Sequence, residues 1–520
     1  MPRSAFQRLR PDESIDDTDI ERGLTWLVRN GIGAQGMETL AAGTLLAAFA
    51  LQLGASYLTI GILAAVPHLA QFAQVPAVLL VEKLRARRMI AVIAGGASRP
   101  ALLLMGAAAL VPSPDMAIAM LVIGFVWRYG LGAVVGCGWN SWIRDLVPQE
   151  RMGAYFGRRL VWMTLYGLVL GLLAGFFVDT WKVHADWSPK YAYALLYVGA
   201  FLCGAYSVYC MIRMPEPRMA AATASGPMHR RLLMPLRDRN FRRLLIFLGS
   251  WNFAVNLAAP FFTVHMLTRL HLDLTTVVIL TSLSQIANML VLRQWGAIAD
   301  RFASKSVLQV CAPLFLLCIF AWTFTTFPDR HAGTIPLLIA IHILAGIATA
   351  GVTLASSTIA LKLAPKGDAT AYLATNSLVN ALAAGIAPIL GGFFAHFFAV
   401  RELTLALHWR SPTAEIDVST LSLKHWDFFF IMAALIGLYS LHRLGRVREE
   451  GEVGERVVVS DFLLWARRAM RNVSTVAGLR GATEFPIDTM MDKQDDTANP
   501  PPDVQEPAES EASEQGDKKD

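Results

Sequence analysis

Long apolar runs separated by short polar ones dominate the chain. Runs near 33–52, 57–81, 89–111, 116–138, 160–178 and 192–213 precede a polar stretch, and runs near 244–266, 275–295, 306–326, 335–361, 370–399 and 426–442 follow it. A helix needs about 20 apolar residues to cross a bilayer core, and each run is long enough. The pattern predicts an all-α membrane protein of twelve transmembrane helices. It predicts six-helix bundles over 32–213 and 244–445, joined by a linker over 214–243. Within the N-terminal segment 1–31, Ile15, Ile20, Leu24, Leu27 and Val28 fall at helical spacing and predict an amphipathic helix lying on the membrane surface. In the tail 446–520, Ser460 or Asp461 is placed to cap a second such helix running to about Arg471. Phe462, Trp465, Ala466 and Ala469 would share one side, among Arg467, Arg468 and Arg471. From Asp488 onward the Pro, Glu, Asp and Ser content predicts disorder.

Composition agrees with the apolar runs. Hydrophobic residues make up 54% and charged residues 17%, which excludes an ordinary soluble domain. The net charge of +6 is informative only through its placement. Lys83, Arg85, Arg87 and Arg88, then Arg144, Arg151, Arg158 and Arg159, then Arg230 to Arg243 occupy alternate loops. The positive-inside rule therefore puts both termini and the linker in the cytoplasm, in a bacterial inner membrane. The loop Arg401–Lys424 is then an external cap. Basic residues confined to loops argue against nucleic acid as a partner. The N-terminus, charged and without an apolar core, does not read as a signal peptide. The five cysteines lie in or beside apolar runs without metal-ligand spacing, so no metal or cofactor is expected. The chain has no Walker A, HExxH or GxSxG motif, which argues against ATP drive and enzymatic chemistry.

Between the eighth and ninth runs stands Gly296-x-x-x-Asp300-Arg301-x-x-x-Lys305. Gly296 would allow close helix approach. Asp300 would face a helix N-terminus, and Arg301 and Lys305 would stay among lipid headgroups. A shift of 218 residues lays Asp300, Arg301 and Lys305 on Glu82, Lys83 and Arg87; a shift of 217 lays Pro365 and Tyr372 on Pro148 and Tyr155. Two bundles related by duplication follow. The signature resembles the loop motif of the major facilitator superfamily. Arg128 four residues before Gly132 in the fourth helix, and Gly385-x-x-Pro388-x-x-Gly391-Gly392 in the eleventh, also resemble that family's patterns. The fifth helix has Gly167, Gly171 and Gly175 but lacks the proline of the family's antiporter motif. The resemblance implies a secondary transporter working by alternating access, a monomer among lipids. Its two charged loops would close the cytoplasmic end in the outward-open state.

Ionisable groups within the membrane are costly and are functional candidates by default. Glu38 in the first helix could carry a coupling proton, or lock the bundle in an ion pair. The family resemblance links the Arg128 position to proton transfer. Arg99 before Pro100 could satisfy carbonyls freed by a kink. Were both arginines to face the cavity, its positive charge would favour an anionic or zwitterionic solute. His68 and Gln71 map at the 217 offset onto Gln285 and Asn288; Asn252 with Asn256, and Asn376 with Asn380, share helix faces, and His342 stands alone. These suit a central cavity for a small solute. The rival reading is a sensor or assembly factor that kept the fold without turnover; an apolar, filled interface between the halves would favour it.

Overall fold

The computed structural model describes residues 9, 11–12, 15–148, 152–219, 233–326, 331–365, 369–410, 415–424 and 426–473. The acidic tail expected to be disordered from Asp488 lies outside them. Eleven helices among these residues are long and apolar enough to cross a membrane. They correspond to expected spans 2 to 12. The first half holds Tyr57–Leu84, Arg87–Leu110, Pro114–Leu146, Tyr155–His184 and Lys190–Arg213; the second begins with Arg239–Thr268 and ends with Trp426–Leu444.

Span 1 departs from expectation twice. The amphipathic segment is not a separate surface helix: a single helix runs Asp17–Ala41, so the expected boundary at 31/32 falls inside it. Asp16 starts it, its carboxylate accepting from Asp19 N at 2.7 Å. Leu24 and Leu27, read as a lipid-facing stripe, are buried with Trp142, Ile143, Met211 and Met214. The helix then breaks. Ala42 is extended (φ −141°), Gly43 takes φ +57°, and a second helix runs Gly43–Gln52. Only glycine adopts that φ without strain, and the backbone groups a break exposes are tolerated at membrane depth where they line a cavity.

The halves meet at the end away from residues 82–87 and 300–305. A Cβ on Gly392 would sit 2.5 Å from Tyr57 O, and one on Gly61 would clash with the Pro388 carbonyl, so spans 2 and 11 pack backbone against backbone there. Spans 5 and 8 are latched at the same end. Asp179 Oδ2 accepts from Thr275 N and Thr275 Oγ1, both at 2.7 Å, capping the N-terminus of Leu274–Arg301 across the interface.

The expected external cap is a β-hairpin, which the all-α reading did not include. Strands β1 (Glu402–Arg410) and β2 (Glu415–Lys424) pair antiparallel from Glu402 opposite Lys424 to Arg410 opposite Glu415, with an irregularity between Leu405 and Ala406. Leu403, Leu405 and Leu407 at alternate positions, flanked by Glu402, Thr404 and His408, give a period-two signal. The tail helix runs Glu455–Val473, starting before its expected cap. Ser460 lies inside it, its hydroxyl donating to Val457 O at 2.8 Å.

Candidate functional site

Two polar cavities open in the membrane region. The first, of about 310 Å³, lies where the halves meet beside the break in span 1. Gln35, Glu38, Thr39, Gly43 and Thr44 line it from one side and Thr281, Ser282 and Gln285 of span 8 from the other. Helix ends leave backbone N–H groups without helical partners, so the break adds the donors of the Gly43 terminus to this wall.

Glu38 is the one charged residue on that wall. Arg128 Nη2 donates to its Oε2 and the Tyr129 hydroxyl to its Oε1. The arginine side chain is 4% exposed and the glutamate 45%, so the pair faces the cavity through its carboxylate. The Arg128 guanidinium also lies 4.6 Å from the Tyr129 ring centre. Its Nε and Nη1 have no hydrogen-bond partner among the described residues. Tyr129 was missed from sequence; its position beside Arg128 was the available signal.

Arg99 lies within electrostatic reach of both Arg128 and Glu38. It does not serve the carbonyls near Pro100. Its Nε donates to Gly204 O on span 6 at 3.1 Å and its Nη1 to Ser98 Oγ at 2.9 Å. Neither arginine lines either of the two cavities described.

The second cavity, of about 340 Å³, lies within the C-terminal half. Asn252, Asn376 and Asn380 line it, whereas the amide pairs were expected at a central cavity where the halves meet. Trp251, Phe315, Thr349, Thr353, Ser356 and Ser357 join them. These hydroxyl residues sit in apolar runs where one sequence gives no hint of facing.

The remaining candidates scatter. Asn256 does not line the second cavity; its Nδ2 donates to Asn252 O at 2.8 Å. Gln71 lines neither cavity; it stands in a 3-10 turn Ala70–Ala73 that breaks the helical spacing from His68, and its amide donates to Pro67 O at 3.4 Å. Asn288 lines neither cavity. His342 belongs to aromatic packing: Nδ1 is 2.7 Å from Leu338 O, and the ring lies edge-on to Trp322 at 5.6 Å.

The charged loop motifs divide the same way in both halves. Glu82, Lys83, Asp300 and Arg301 are exposed, and Arg87 and Lys305 are buried. This corrects the expectation that Lys305 stays among headgroups and that the last base of each motif gates between halves. Arg87 N donates to Glu216 Oε1 at 2.6 Å, and its Nη1 pairs with Asp145 at 2.5 Å. Lys305 N donates to Glu449 Oε2 at 2.7 Å, and its Nζ pairs with Glu452 at 2.5 Å. Each glutamate caps the third helix of its own half from the chain leaving the sixth. Asp300 is exposed rather than docked on a helix terminus. Gly296 makes no close approach, its nearest neighbour, a Leu354 methyl, lying 4.0 Å from where a Cβ would be.

Solved structures share this architecture. The crystal structure of the nucleoside transporter NupG is 14% identical and matches 82% of this chain and 98% of its own at a TM-score of 0.60. A POT family transporter in complex with a thioalcohol-conjugated peptide is 12% identical over 82% and 97%, also at 0.60. A bacterial homologue of the iron transporter ferroportin in the inward-facing state is 10% identical over 82% and 98% at 0.58. No curated protein matches the chain in sequence. The family model for the Major Facilitator Superfamily matches residues 31–333 and 253–456. With its duplicated bundles and, among the described residues, eleven helices long and apolar enough to span, the chain is an integral multi-pass membrane protein and belongs to the major facilitator superfamily.

Proposed function

We propose that the protein moves a small organic solute across the membrane by alternating access, coupled to protons at Glu38. One observation carries this reading. The Glu38 carboxylate, held by Arg128 and Tyr129, faces a polar cavity between the halves beside a helix break. A carboxylate that takes a proton gives up the attraction of Arg128. Protonation therefore changes what holds span 1 to span 4 at the point where span 1 is already broken. Under the positive-inside orientation, the closed end with Asp179 and Gly392 is external and the structure is open to the cytoplasm. Closure there would bring together the exposed motif residues Glu82, Lys83, Asp300 and Arg301, while Arg87 and Lys305 keep each half rigid. The sensor reading expects an apolar, filled interface, which the first cavity, lined by Glu38, Gln35 and Gln285, disfavours. The neighbours include a nucleoside transporter and a bacterial homologue of an iron transporter, so the fold does not choose among substrates.

The test is proton movement by the purified chain in liposomes holding a pH-sensitive dye, challenged with sugars, nucleosides, amino acids, organic anions and drugs. A solute-dependent pH change that Glu38→Gln abolishes is the expected result. Solute flux without proton movement would return Glu38 to a structural role, and no flux across the panel would favour the sensor.

A further inference from the structure

We propose that the C-terminal cavity binds an uncharged, polyhydroxylated ring solute of monosaccharide or nucleoside size. The proposal rests on the transport reading and deepens it. None of the cavity's lining residues is ionisable. A charged solute drawn there from water would have no countercharge to offset its lost hydration.

The hydrogen-bonding inventory points the same way. Asn380 Oδ1 and Ser356 Oγ are buried and have no partner among the described residues. Asn252 Nδ2 donates to Leu248 O at 2.9 Å, which leaves its Oδ1 to the cavity. The Thr349 and Ser357 hydroxyls donate to Ala345 O and Leu354 O at 2.6 and 2.8 Å, so their oxygens remain as acceptors. Asn380 Nδ2 donates to Asn376 Oδ1 at 3.2 Å, which leaves the Asn376 N–H groups as donors beside these acceptors, so the wall calls for an uncharged ligand that both donates and accepts. A carboxylate or phosphate only accepts, and an ammonium donates but brings an uncompensated charge. Hydroxyl groups on a ring donate without charge, and buried acceptors left unmatched cost enough to select for them.

Trp251 and Phe315 supply the apolar side. Their ring centres lie 5.9 Å apart at 57°, forming a corner against which the C–H face of a sugar or the flat face of a base can pack. A cavity of about 340 Å³ holds one such molecule and some water.

Calorimetric titration of the purified full-length protein with glucose, ribose, inositol, uridine and adenosine, against lactate, glutamate and choline, tests this. Binding is expected from the neutral group only, and the sugar and nucleoside arms tell which source of the chemistry it takes. Asn380→Ala and Trp251→Ala are each expected to weaken binding at least tenfold, with Trp251→Phe restoring most of it. The unfolding temperature of each variant checks that it is folded. Binding of lactate, glutamate or choline in place of the neutral probes overturns the solute class, and so does the absence of binding by all five neutral probes. Neutral binding indifferent to Asn380→Ala and Trp251→Ala overturns the site. The transport reading is judged separately, by flux in liposomes: a solute carried but not neutral defeats only this proposal, and no solute carried defeats both.

Discussion

The two halves of the molecule share a scaffold and differ in chemistry. At the charged end they repeat: Glu216 caps the helix starting at Arg87, and Glu449 caps the helix starting at Ser304. At mid-membrane they do not. The first half holds Glu38, Arg99 and Arg128 among its spans, and the second faces its cavity with amides, hydroxyls and two aromatic rings. Duplication preserved what makes each bundle rigid, because a cap lost at a buried helix end is costly wherever it sits. It left the walls free to diverge, since a cavity-facing residue supports little packing.

If the division of labour is right, the largest effect belongs to Glu38. Glu38→Gln should lower the initial rate of pH-driven solute uptake by roughly 100-fold, the lower end of what one positioned proton-transfer group contributes to a rate. Counterflow at equal pH should survive, and equal loss of both in liposome assays would erase the contrast between the halves.

The two clamps should differ in strength. Arg87 and Glu216 are both fully buried, whereas Lys305 is paired to a Glu452 side chain that is 48% exposed. Arg87→Ala should cost about 3–5 kcal/mol by stranding buried carboxylates. Lys305→Ala should cost about 1–3 kcal/mol. Unfolding temperatures in detergent would rank them, and the reverse order would contradict the burial argument.

A smaller effect is expected at the closed end. Asp179→Ala removes a cap worth about 0.5–2 kcal/mol and should loosen that end without unfolding either half. In a background without the five native cysteines, Val278→Cys should then react faster with a maleimide added from that side. An unchanged rate would show that the glycine contacts of spans 2 and 11 hold the end alone.

The smallest is a pH effect at Glu216, outside the spans. Burial holds its carboxyl above the ordinary 4.5, against the opposing pull of hydrogen bonds from the Arg87 and Arg88 backbone and of their charges. The folded state therefore binds this proton more tightly than the unfolded state. The group's contribution is full below 4.5 and is lost as pH rises through its raised folded value. Glu216→Gln should remove that dependence from unfolding temperatures measured at about pH 4 to 7.

How much was legible varies by residue. The Asn376 and Asn380 pair shares one cavity because four-residue spacing fixes a shared helix face and the helix stays regular through both. His68 and Gln71 parted because Pro67 is followed by a 3-10 turn, which no spacing rule anticipates. Asp179 and Glu216 carry no signal in the sequence, since the residues they cap are 96 and 129 residues away.

The amino-acid sequence by itself determined the order and placement of the apolar spans, the duplication and the charged ends. Those features follow from local hydrophobicity, and a bilayer reads hydrophobicity residue by residue. Only the tertiary structure decided that Glu38 meets Arg128 and Tyr129, that Arg87 and Lys305 turn inward, and that the second half encloses an uncharged cavity. Each depends on how a helix is rotated against its neighbours. In lipid, a small residue that packs a helix and a polar one that lines a cavity occupy the same apolar run, and only contact tells them apart.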